Sequence, residues 1–366
     1  MQVYLDNIVF SIQKAGGVSV YWYELLKGIF NSGLSVNLLN TQRSSANIFE
    51  RRLDYSRFAC LKESRLPFKY LRYMPIRCRL PATSIFHGGY LRVSPQKNIL
   101  NILTVHDLAH ERKLATKFPR GLTNILQKAY GIRRADGIIC ISESTRQELL
   151  HFYPFVNPEK VKVVYHGIAN DFYPLNKSIP PFFTLPFNLQ QPFILYVGAR
   201  RNYKNFGVAV KALKQLPEAY KLVIVGGEQW SREEMIALQE LAGRYHIFEN
   251  VSAADLNVLY NYAFCLLYTS IYEGFGFPPG EALKAGCPVV TTNRTSMPEV
   301  VGPAGLLVDQ PDPLAFAEKI TSLENQPYRQ RLTRVGLQQV QKFTWEKSVQ
   351  ETISFYQDCW NYKFSK

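Results

Sequence analysis

The chain has 366 residues, a length that corresponds to about two domains at roughly 150 residues each. Its composition is 46% hydrophobic and 20% charged, which excludes intrinsically disordered and fibrous proteins. The 43 Lys and Arg residues exceed the 29 Asp and Glu residues, and the resulting formal charge of +14 indicates an anionic partner without indicating a fold.

Short apolar, β-branched runs alternate with longer helical patterns along the whole chain. Strands are predicted at 3–5, 36–39, 99–104, 137–141, 161–164, 193–197, 221–225, 264–268, 288–292 and 305–308. Helices are predicted at 18–31, 122–134, 144–152, 206–216, 231–243, 253–262, 279–285, 313–324 and 345–362. Strands that alternate with helices are typical of an α/β protein built on parallel sheets.

A proline-rich segment divides the chain into two domains. Residues 172–192 contain five prolines and little periodicity, which is the composition of a linker. We therefore predict one domain at 1–171, a second at 193–343 and a terminal segment at 344–366. Two doubly wound sheets joined by this linker are expected to direct the carboxyl ends of their strands into a shared cleft, because open α/β sheets bind ligands at those ends.

Two motifs of the first domain lie next to predicted strands. Gly16 and Gly17 stand between the first strand and the first long helix. They lack the third glycine of a dinucleotide fingerprint, yet they allow a ligand to approach the backbone closely. His106 and Asp107 follow strand 99–104. They either contact a ligand there or serve the fold alone, with Asp107 capping the next segment.

The basic residues are concentrated in the first domain. Residues 1–175 hold 24 Lys and Arg against 12 Asp and Glu, whereas the rest of the chain holds 19 against 17. The densest part is 43–79, where basic side chains alternate with apolar and aromatic ones; its second half includes Arg65, Lys69, Arg72, Arg77 and Arg79. Such a segment suits nucleic acid, a membrane surface or a phosphorylated ligand, or it is a solvated loop.

A glycine-rich turn of the second domain is the most informative motif. Glu273 lies in this turn after strand 264–268, and Glu281 lies one turn into the following helix. The positive helix end and the turn amides form a predicted anion site; these amides belong to Gly274, Phe275, Gly276 and Phe277. A carboxylate beside a phosphate is repelled, so Glu281 is predicted to bind a neutral diol such as a ribose. The alternative is a tight turn in which glycines supply geometry and glutamates supply caps.

A cationic loop follows the first strand of the second domain. Arg200 and Lys204 lie on this loop, at the same predicted sheet edge as the glycine-rich turn. Two fixed cations that face a helix N-terminus suit a diphosphate and stabilise it as a leaving group. The alternative is a solvated basic loop.

Other features of the sequence concern the cellular compartment. The first ten residues lack the pattern of a signal peptide, and no apolar run approaches the ~20 residues of a membrane-spanning helix. The six cysteines are scattered, without the spacing of a disulfide framework or a zinc site, and are expected to be buried thiols. We therefore expect a cytoplasmic protein.

Together these motifs resemble those of glycosyltransferase family 4, which consists of retaining enzymes of the GT-B fold. The resemblance covers nearly the whole chain. It rests on Gly16-Gly17, VHDL at 105–108, ISESTRQEL at 141–149, VYHGI at 164–168, YVGARRNYKN at 196–205, EGFGFPPGE at 273–281, GCPVV at 286–290 and FTWEKS at 343–348. It implies two Rossmann-like doubly wound α/β domains that face a cleft, with the terminal helix crossing back to the first domain.

The resemblance also implies roles for single residues. Glu281 is expected to bind the ribose of a nucleotide, and Glu273 the hydroxyls of the donor sugar. Arg200 and Lys204 are expected to neutralise the diphosphate, which Gly16 and Gly17 approach from the first domain, and the glycine-rich turn holds both sugar and diphosphate. His106 is expected to face the sugar near the transferred carbon. Many members carry an arginine where this chain has Ala199, so Arg201 competes with Arg200 for the diphosphate.

The implied activity is retaining transfer of a hexose from a GDP- or UDP-linked donor. The acceptor is expected to be a glycan or a lipid-linked saccharide of bacterial surface polysaccharide synthesis, met by the first domain. The basic segment is then expected to dock on the anionic inner face of the cytoplasmic membrane. No Asp-x-Asp motif is present, so no metal or other cofactor is expected. The alternatives are a sugar-nucleotide epimerase of the same fold and a basic nucleic-acid-binding protein.

Overall fold

The structure is a computed structural model that describes residues 1–40, 46–63, 68–115, 119–176, 191–200, 202–227 and 229–365. It contains two compact units. Unit 1 combines Met1–Gly167 with Trp345–Lys366, and unit 2 comprises Ile168–Thr344. The boundary lies ahead of the predicted position at 171. Residues that were predicted to begin the linker instead pack on unit 2, where the backbone N–H groups of Tyr173 and Leu175 donate to Asn257 and Asn261.

Unit 1 is built on a parallel sheet of seven strands in the order β3-β2-β1-β4-β5-β6-β7. The strands are β1 Gln2–Asp6, β2 Ser35–Asn40, β3 Ala59–Lys62, β4 Ser84–Gly88, β5 Ile99–Val105, β6 Gly137–Cys140 and β7 Val161–Val163. The helices are α1 Ile8–Ile12, α2 Gly17–Asn31, α3 Phe68–Leu71, α4 Arg120–Arg134, α5 Glu143–Phe152 and the terminal helix α13 Trp345–Phe364.

Unit 2 is built on a parallel sheet of six strands in the order β10-β9-β8-β11-β12-β13. The strands are β8 Phe193–Val197, β9 Lys221–Val225, β10 Tyr245–Phe248, β11 Cys265–Tyr268, β12 Val289–Thr292 and β13 Gly305–Val308. The helices are α6 Phe206–Lys214, α7 Arg232–Gln239, α8 Ala253–Tyr262, α9 Phe277–Lys284, α10 Met297–Val301, α11 Pro313–Ser322 and α12 Gln326–Gln339.

The central strands of both sheets are buried, which explains their continuous apolar runs. Strands β5 and β8 are buried along their whole length, as parallel strands covered on both faces require. The α/β prediction is thereby confirmed, and each predicted strand and helix is present within a few residues of its expected ends. The expectation that every cysteine is buried is wrong at Cys60, which is exposed because it lies on the edge strand β3, and at the half-buried Cys78 and Cys359.

Candidate functional site

The carboxyl ends of β8 and β11, neighbours in the sheet of unit 2, bring Lys204 and Glu273 together. Lys204 Nζ lies 2.6 Å from Glu273 Oε1, and the hydroxyl of Tyr268 donates to the same oxygen at 2.6 Å. Burial and the nearby Glu273 carboxylate raise the pKa of Tyr268, so this hydroxyl stays protonated. Both charged residues were predicted from the sequence, whereas Tyr268, which ends an apolar strand, was not.

The loops that carry this ion pair are tied to each other by hydroxyl groups. Thr269 Oγ1 donates to the carbonyl oxygens of Lys204 and Asn205 at 3.0 Å, which holds the cationic loop against the end of β11. Thr295 Oγ1 accepts from the Glu273 N–H at 3.0 Å, and Ser296 Oγ donates to the Glu273 carbonyl, also at 3.0 Å. Because the backbone of Glu273 is fixed on both sides, its carboxylate has a defined position.

The glycine-rich turn leads directly into α9. Gly276 has a φ of +100°, and a Cβ there would lie 2.3 Å from Met297 Cε, so only glycine fits. Helix α9 begins at Phe277 with Pro278 and Pro279 in its first turn, two residues ahead of the predicted start at 279. The positive end of the helix dipole therefore lies next to Glu273 in the sequence, at the edge where the ion pair is found.

Glu281 lies one turn into α9 and contacts a tyrosine that was not among the predicted site residues. The hydroxyl of Tyr260, on α8, donates to Glu281 Oε2 at 3.0 Å. Burial raises the pKa of Glu281 to about 7, and Asp171 adds a smaller rise. The carboxyl group is therefore close to half-protonated at neutral pH and is suited to hydrogen bonds with neutral hydroxyl groups.

Arg200 does not join the ion pair and instead anchors neighbouring loops. Its side chain is 2% exposed, its Nη1 donates to the Gly226 carbonyl at 2.6 Å, and its Nε lies 3.5 Å from Glu234 Oε2. The guanidinium carbon also lies 3.6 Å from the centre of the Trp230 ring. Arg201, the competing candidate, lies outside the described residues.

In unit 1, His106 lies at the carboxyl end of β5 and is half-buried. Its ring packs edge-on against Tyr21 at 5.1 Å and lies 5.7 Å from the ring of His166. Burial lowers the pKa of His106 to about 4, so its imidazole is neutral at physiological pH. Asp107, beside it, accepts the N–H of Ala109 at 3.1 Å, which is the capping role left open above. Neither Tyr21 nor His166 was among the predicted site residues.

Gly16 and Gly17 stand at the start of α2, which has 15 residues, as many as α4. Gly16 has a φ of +155° and precedes α2, which begins at Gly17. No side chain among the described residues caps this helix end, and Ser19 Oγ donates to the Gly16 carbonyl at 2.9 Å. The uncapped amides of this helix end are suited to an anionic group.

The predicted basic patch is divided in the structure. Arg72 is half-buried, with its guanidinium 4.9 Å from the Tyr73 ring centre and 6.0 Å from that of Tyr90. Arg77 and Arg79 are exposed and, with Lys97, line a groove of about 800 Å³ ahead of β4 and β5. Lys69 belongs to α3, but its side chain lies outside the described part of the structure, as does the whole of Arg65.

An exposed apolar row lies on α4 of unit 1. Leu122, Leu126 and Tyr130 are 49%, 61% and 38% exposed, and their spacing of four residues places them on one helix face. Arg133 and Arg134 follow in the last turn, and the Arg133 guanidinium lies 4.5 Å from the ring centre of the exposed Phe155. Within the described part of the chain, no helix has the length and apolar character needed to cross a membrane.

Comparison with known proteins identifies the family. The model described as Glycosyltransferase Family 4 matches residues 15–172, and the model described as Glycosyl transferases group 1 matches residues 181–339. The chain is 32% identical to the O-antigen chain mannosyltransferase B of Escherichia coli over 283 residues, which are 74% of this chain and 74% of that protein. The chain belongs to glycosyltransferase family 4. The expected family is thereby confirmed, and the protein is a glycosyltransferase.

Solved structures confirm the fold of this glycosyltransferase. Sucrose-phosphate synthase from Thermosynechococcus elongatus has a TM-score of 0.78 at 20% identity, covering 99% of this chain and 100% of that one. Anabaena HepE in complex with UDP and glucose has a TM-score of 0.71 at 15% identity, covering 98% and 99%. These likenesses confirm the predicted GT-B class, with one Rossmann-like parallel sheet in each unit.

Proposed function

We propose that this glycosyltransferase moves mannose from GDP-mannose to a glycan or lipid-linked saccharide acceptor in bacterial surface polysaccharide synthesis. The observation that carries the proposal is the Lys204–Glu273 pair at the sheet edge of unit 2, with Glu281 on the helix that follows. The similar Escherichia coli protein is an O-antigen chain mannosyltransferase, which favours mannose as the hexose. The HepE structure holds UDP and glucose, which favours a nucleotide-linked donor.

Charge stabilisation by Lys204 is the main catalytic contribution in this proposal. When the bond between sugar C1 and the diphosphate oxygen breaks, negative charge develops on the leaving group. The Lys204 ammonium and the start of α9 stabilise that charge without a metal ion. Glu273 then exchanges its contact with Lys204 for hydroxyl groups of the sugar, and Glu281 accepts the ribose hydroxyls.

We assign the diphosphate to Lys204 rather than to Arg200. The buried contacts of Arg200 with Glu234, Gly226 and Trp230 give it a role in holding the loops after β8 and β9. In unit 1, His106 is proposed to act on the donor sugar, and the α2 N-terminus at Gly16 and Gly17 to approach the diphosphate.

Retention of configuration is part of the proposal. The acceptor hydroxyl attacks C1 from the face that the diphosphate leaves, and a departing phosphate oxygen takes the hydroxyl proton. One C1–O bond breaks, another forms on the same face, and the products are a mannoside and GDP. Exclusion of water is required, because water competes with the acceptor for C1.

We also propose that unit 1 docks on an anionic membrane surface. The exposed residues Arg77, Arg79 and Lys97 precede β4 and β5, and α4 ends with Arg133 and Arg134 just before β6, so these cations share the amino-terminal edge of the sheet. The apolar row on α4 supplies side chains that enter the lipid interface. The concentration of positive charge in the first half of the chain supports this surface rather than the donor site as the anionic contact.

A donor panel tests the proposed function. Calorimetric titration and turnover assays with GDP-mannose, UDP-glucose and a dTDP-sugar should show binding and turnover of GDP-mannose, with transfer once the lipid-linked acceptor is added. Preference for UDP-glucose would overturn the choice of mannose, and no affinity for any of them would overturn the proposal. Conversion of the donor sugar without acceptor would instead indicate the epimerase alternative, which the match to transferase families disfavours.

A further inference from the structure

A hydrogen-bonded chain of four buried side chains runs through unit 1 from its terminal helix to α2. The hydroxyl of Tyr356, on α13, lies 2.5 Å from His87 Nδ1, on β4. His87 Nε2 lies 2.8 Å from Thr104 Oγ1, on β5, and Thr104 Oγ1 lies 3.0 Å from the Tyr21 hydroxyl, on α2. All four residues are at most 3% exposed.

The neutral charge state of His87 gives its two hydrogen bonds a common direction. Burial lowers the pKa of His87 to about 3, so the imidazole is neutral at physiological pH. A neutral imidazole has one donor and one acceptor nitrogen. The two hydrogen bonds of His87 therefore point the same way, either from Tyr356 toward Thr104 or from Thr104 toward Tyr356. In the third hydrogen bond either the Thr104 or the Tyr21 hydroxyl is the donor.

This series of hydrogen bonds ends at Tyr21, whose ring contacts the candidate site residue His106. The Tyr21 ring lies 5.1 Å from the His106 ring at an interplanar angle of 74°, and 4.7 Å from the ring of His166. Thr104 and His106 are also close along β5, so the hydroxyl that fixes Tyr21 comes from the strand that carries His106. An edge-on aromatic contact depends on ring orientation, and the hydrogen bond to Thr104 holds the hydroxyl end of the Tyr21 ring.

We propose that Thr104, His87 and Tyr356 are positioning residues that orient His106 through Tyr21, so that the terminal helix of unit 1 sets the geometry of the site. The inference rests on the proposed function, in which His106 acts on the donor sugar. It adds a reason for the buried histidine and the two buried tyrosines that this function leaves unexplained.

Substitutions along the chain test the proposal. Thr104→Val keeps the shape of the side chain and removes its hydroxyl, Tyr356→Phe removes the far end, and Thr104→Ser restores the hydroxyl. We expect Thr104→Val and Tyr356→Phe to lower kcat for mannose transfer roughly tenfold with the donor KM within about twofold, and Thr104→Ser to recover most of kcat. Thr352→Val is the matched control, because Thr352 is also a buried threonine of unit 1, but among the described residues its hydroxyl donates within α13, to the Ser348 carbonyl.

Two further measurements separate positioning from a merely structural role. In a His106→Gln background, Thr104→Val should cause no additional loss of kcat, because its effect passes through His106. The imidazole ¹H–¹⁵N signals of His106 should move in Thr104→Val and Tyr356→Phe but not in Thr352→Val, whether or not mannose is transferred. Unchanged His106 signals, an unchanged kcat in Thr104→Val, or an equal loss in the His106→Gln background would overturn the proposal. Full activity of His106→Gln would instead overturn the role that the proposed function gives to His106.

Discussion

At the scale of single residues, the pair of Lys204 and Glu273 carries the proposed chemistry. Removing Lys204 leaves the developing diphosphate charge without its cation, so Lys204→Ala is expected to lower kcat about 100-fold to 1000-fold. Steady-state transfer assays measure this loss.

A matched ion pair in the same unit provides the control for this prediction. Lys214 Nζ lies 2.7 Å from Glu240 Oε2, but both side chains are exposed and remote in sequence from the glycine-rich turn. Lys214→Ala should therefore leave kcat unchanged. Equal losses in the two variants would show that Lys204 acts only through stability.

Glu281 predicts a pH dependence with a definite sign. Its pKa of about 7 in the folded protein exceeds the ~4.3 of an unfolded glutamate, so the folded state binds the proton more tightly. The contribution to stability is present at low pH and is lost as the pH rises from about 4.5 to 7. Glu281→Gln cannot bind this proton. Between pH 5 and pH 8 the free energy of unfolding of wild type should therefore fall by roughly 2–3 kcal/mol relative to that of Glu281→Gln. Urea unfolding curves of both proteins measure the difference, and parallel pH profiles would contradict it.

The residues of the site were predictable where their chemistry is local. Glu273, Glu281 and Lys204 stand out because they flank glycines and strand ends, where ligands of α/β sheets bind. Arg200 illustrates the limit, since its partners Trp230 and Glu234 lie on the loop after β9 and in the first turn of α7, and no sequence pattern links them to Arg200. Tyr260 was missed for the same reason, since its partner Glu281 lies on another helix. Tyr268 was missed because it ends an apolar strand and looks like a core residue.

At the scale of elements, the buried central strands and amphipathic helices were predictable, and the edges were not. Strand β3 is exposed at all its residues and lies beside a basic segment, so it has no alternation. Strand β4 carries a polar His87 in a fully buried position, which hides its apolar character. Helix α12 is mostly polar and is held by specific contacts, such as that of Thr333 with the Gly286 carbonyl at 3.2 Å, which only the folded chain reveals.

Helix α4 gives a prediction about membrane binding. Replacing Leu122 and Leu126 together with Gln removes apolar surface that enters the lipid interface, so binding to vesicles rich in phosphatidylglycerol should fall at least tenfold. Vesicle co-sedimentation measures the loss.

Unit 2 supplies the control for this experiment. Ile236 and Leu314 are 50% and 55% exposed there, so replacing both with Gln removes similar apolar surface from a unit outside the proposed docking surface. That variant should bind vesicles like wild type. Loss of self-association rather than of vesicle binding in the α4 variant would show that this face meets a second copy of the chain.

At the scale of the whole molecule, the two units are expected to respond differently to acid. Burial lowers the pKa of His87 to about 3 and of His106 to about 4, and lowers that of His166 well below its usual value. These neutral histidines stabilise unit 1 above pH ~6.5, and their contribution is lost as the pH falls toward 4. Burial raises the pKa of Asp6 to about 6, so protonation of Asp6 stabilises unit 1 as the pH falls. This one group offsets only part of the stability that the three histidines lose.

Hydrogen exchange can follow each unit separately. After correction for intrinsic rates, amides of unit 1 should lose protection between pH 7 and pH 5, while those of unit 2 gain some through Glu281. Equal changes in both units would contradict the assignment of the buried histidines as neutral.

The family and the structure also narrow the choice of anionic partner that the positive charge indicates. From the sequence alone it fits nucleic acid, membrane or phosphate equally. The chain is a glycosyltransferase by its family. The exposed cations of the proposed docking surface lie at the amino-terminal sheet edge of unit 1, whereas His106 lies at the carboxyl end of β5. We therefore connect the charge with docking and not with the donor.

The most direct test of the account is the configuration of the product. Purified protein, GDP-α-mannose and a lipid-linked saccharide acceptor should yield a new mannoside, and ¹H NMR of its anomeric proton should show the α configuration of the donor. Lys204→Ala should yield little of it in the same time. A β-mannoside would contradict the retaining mechanism, and no mannoside from any nucleotide-linked mannose would contradict the proposed function itself.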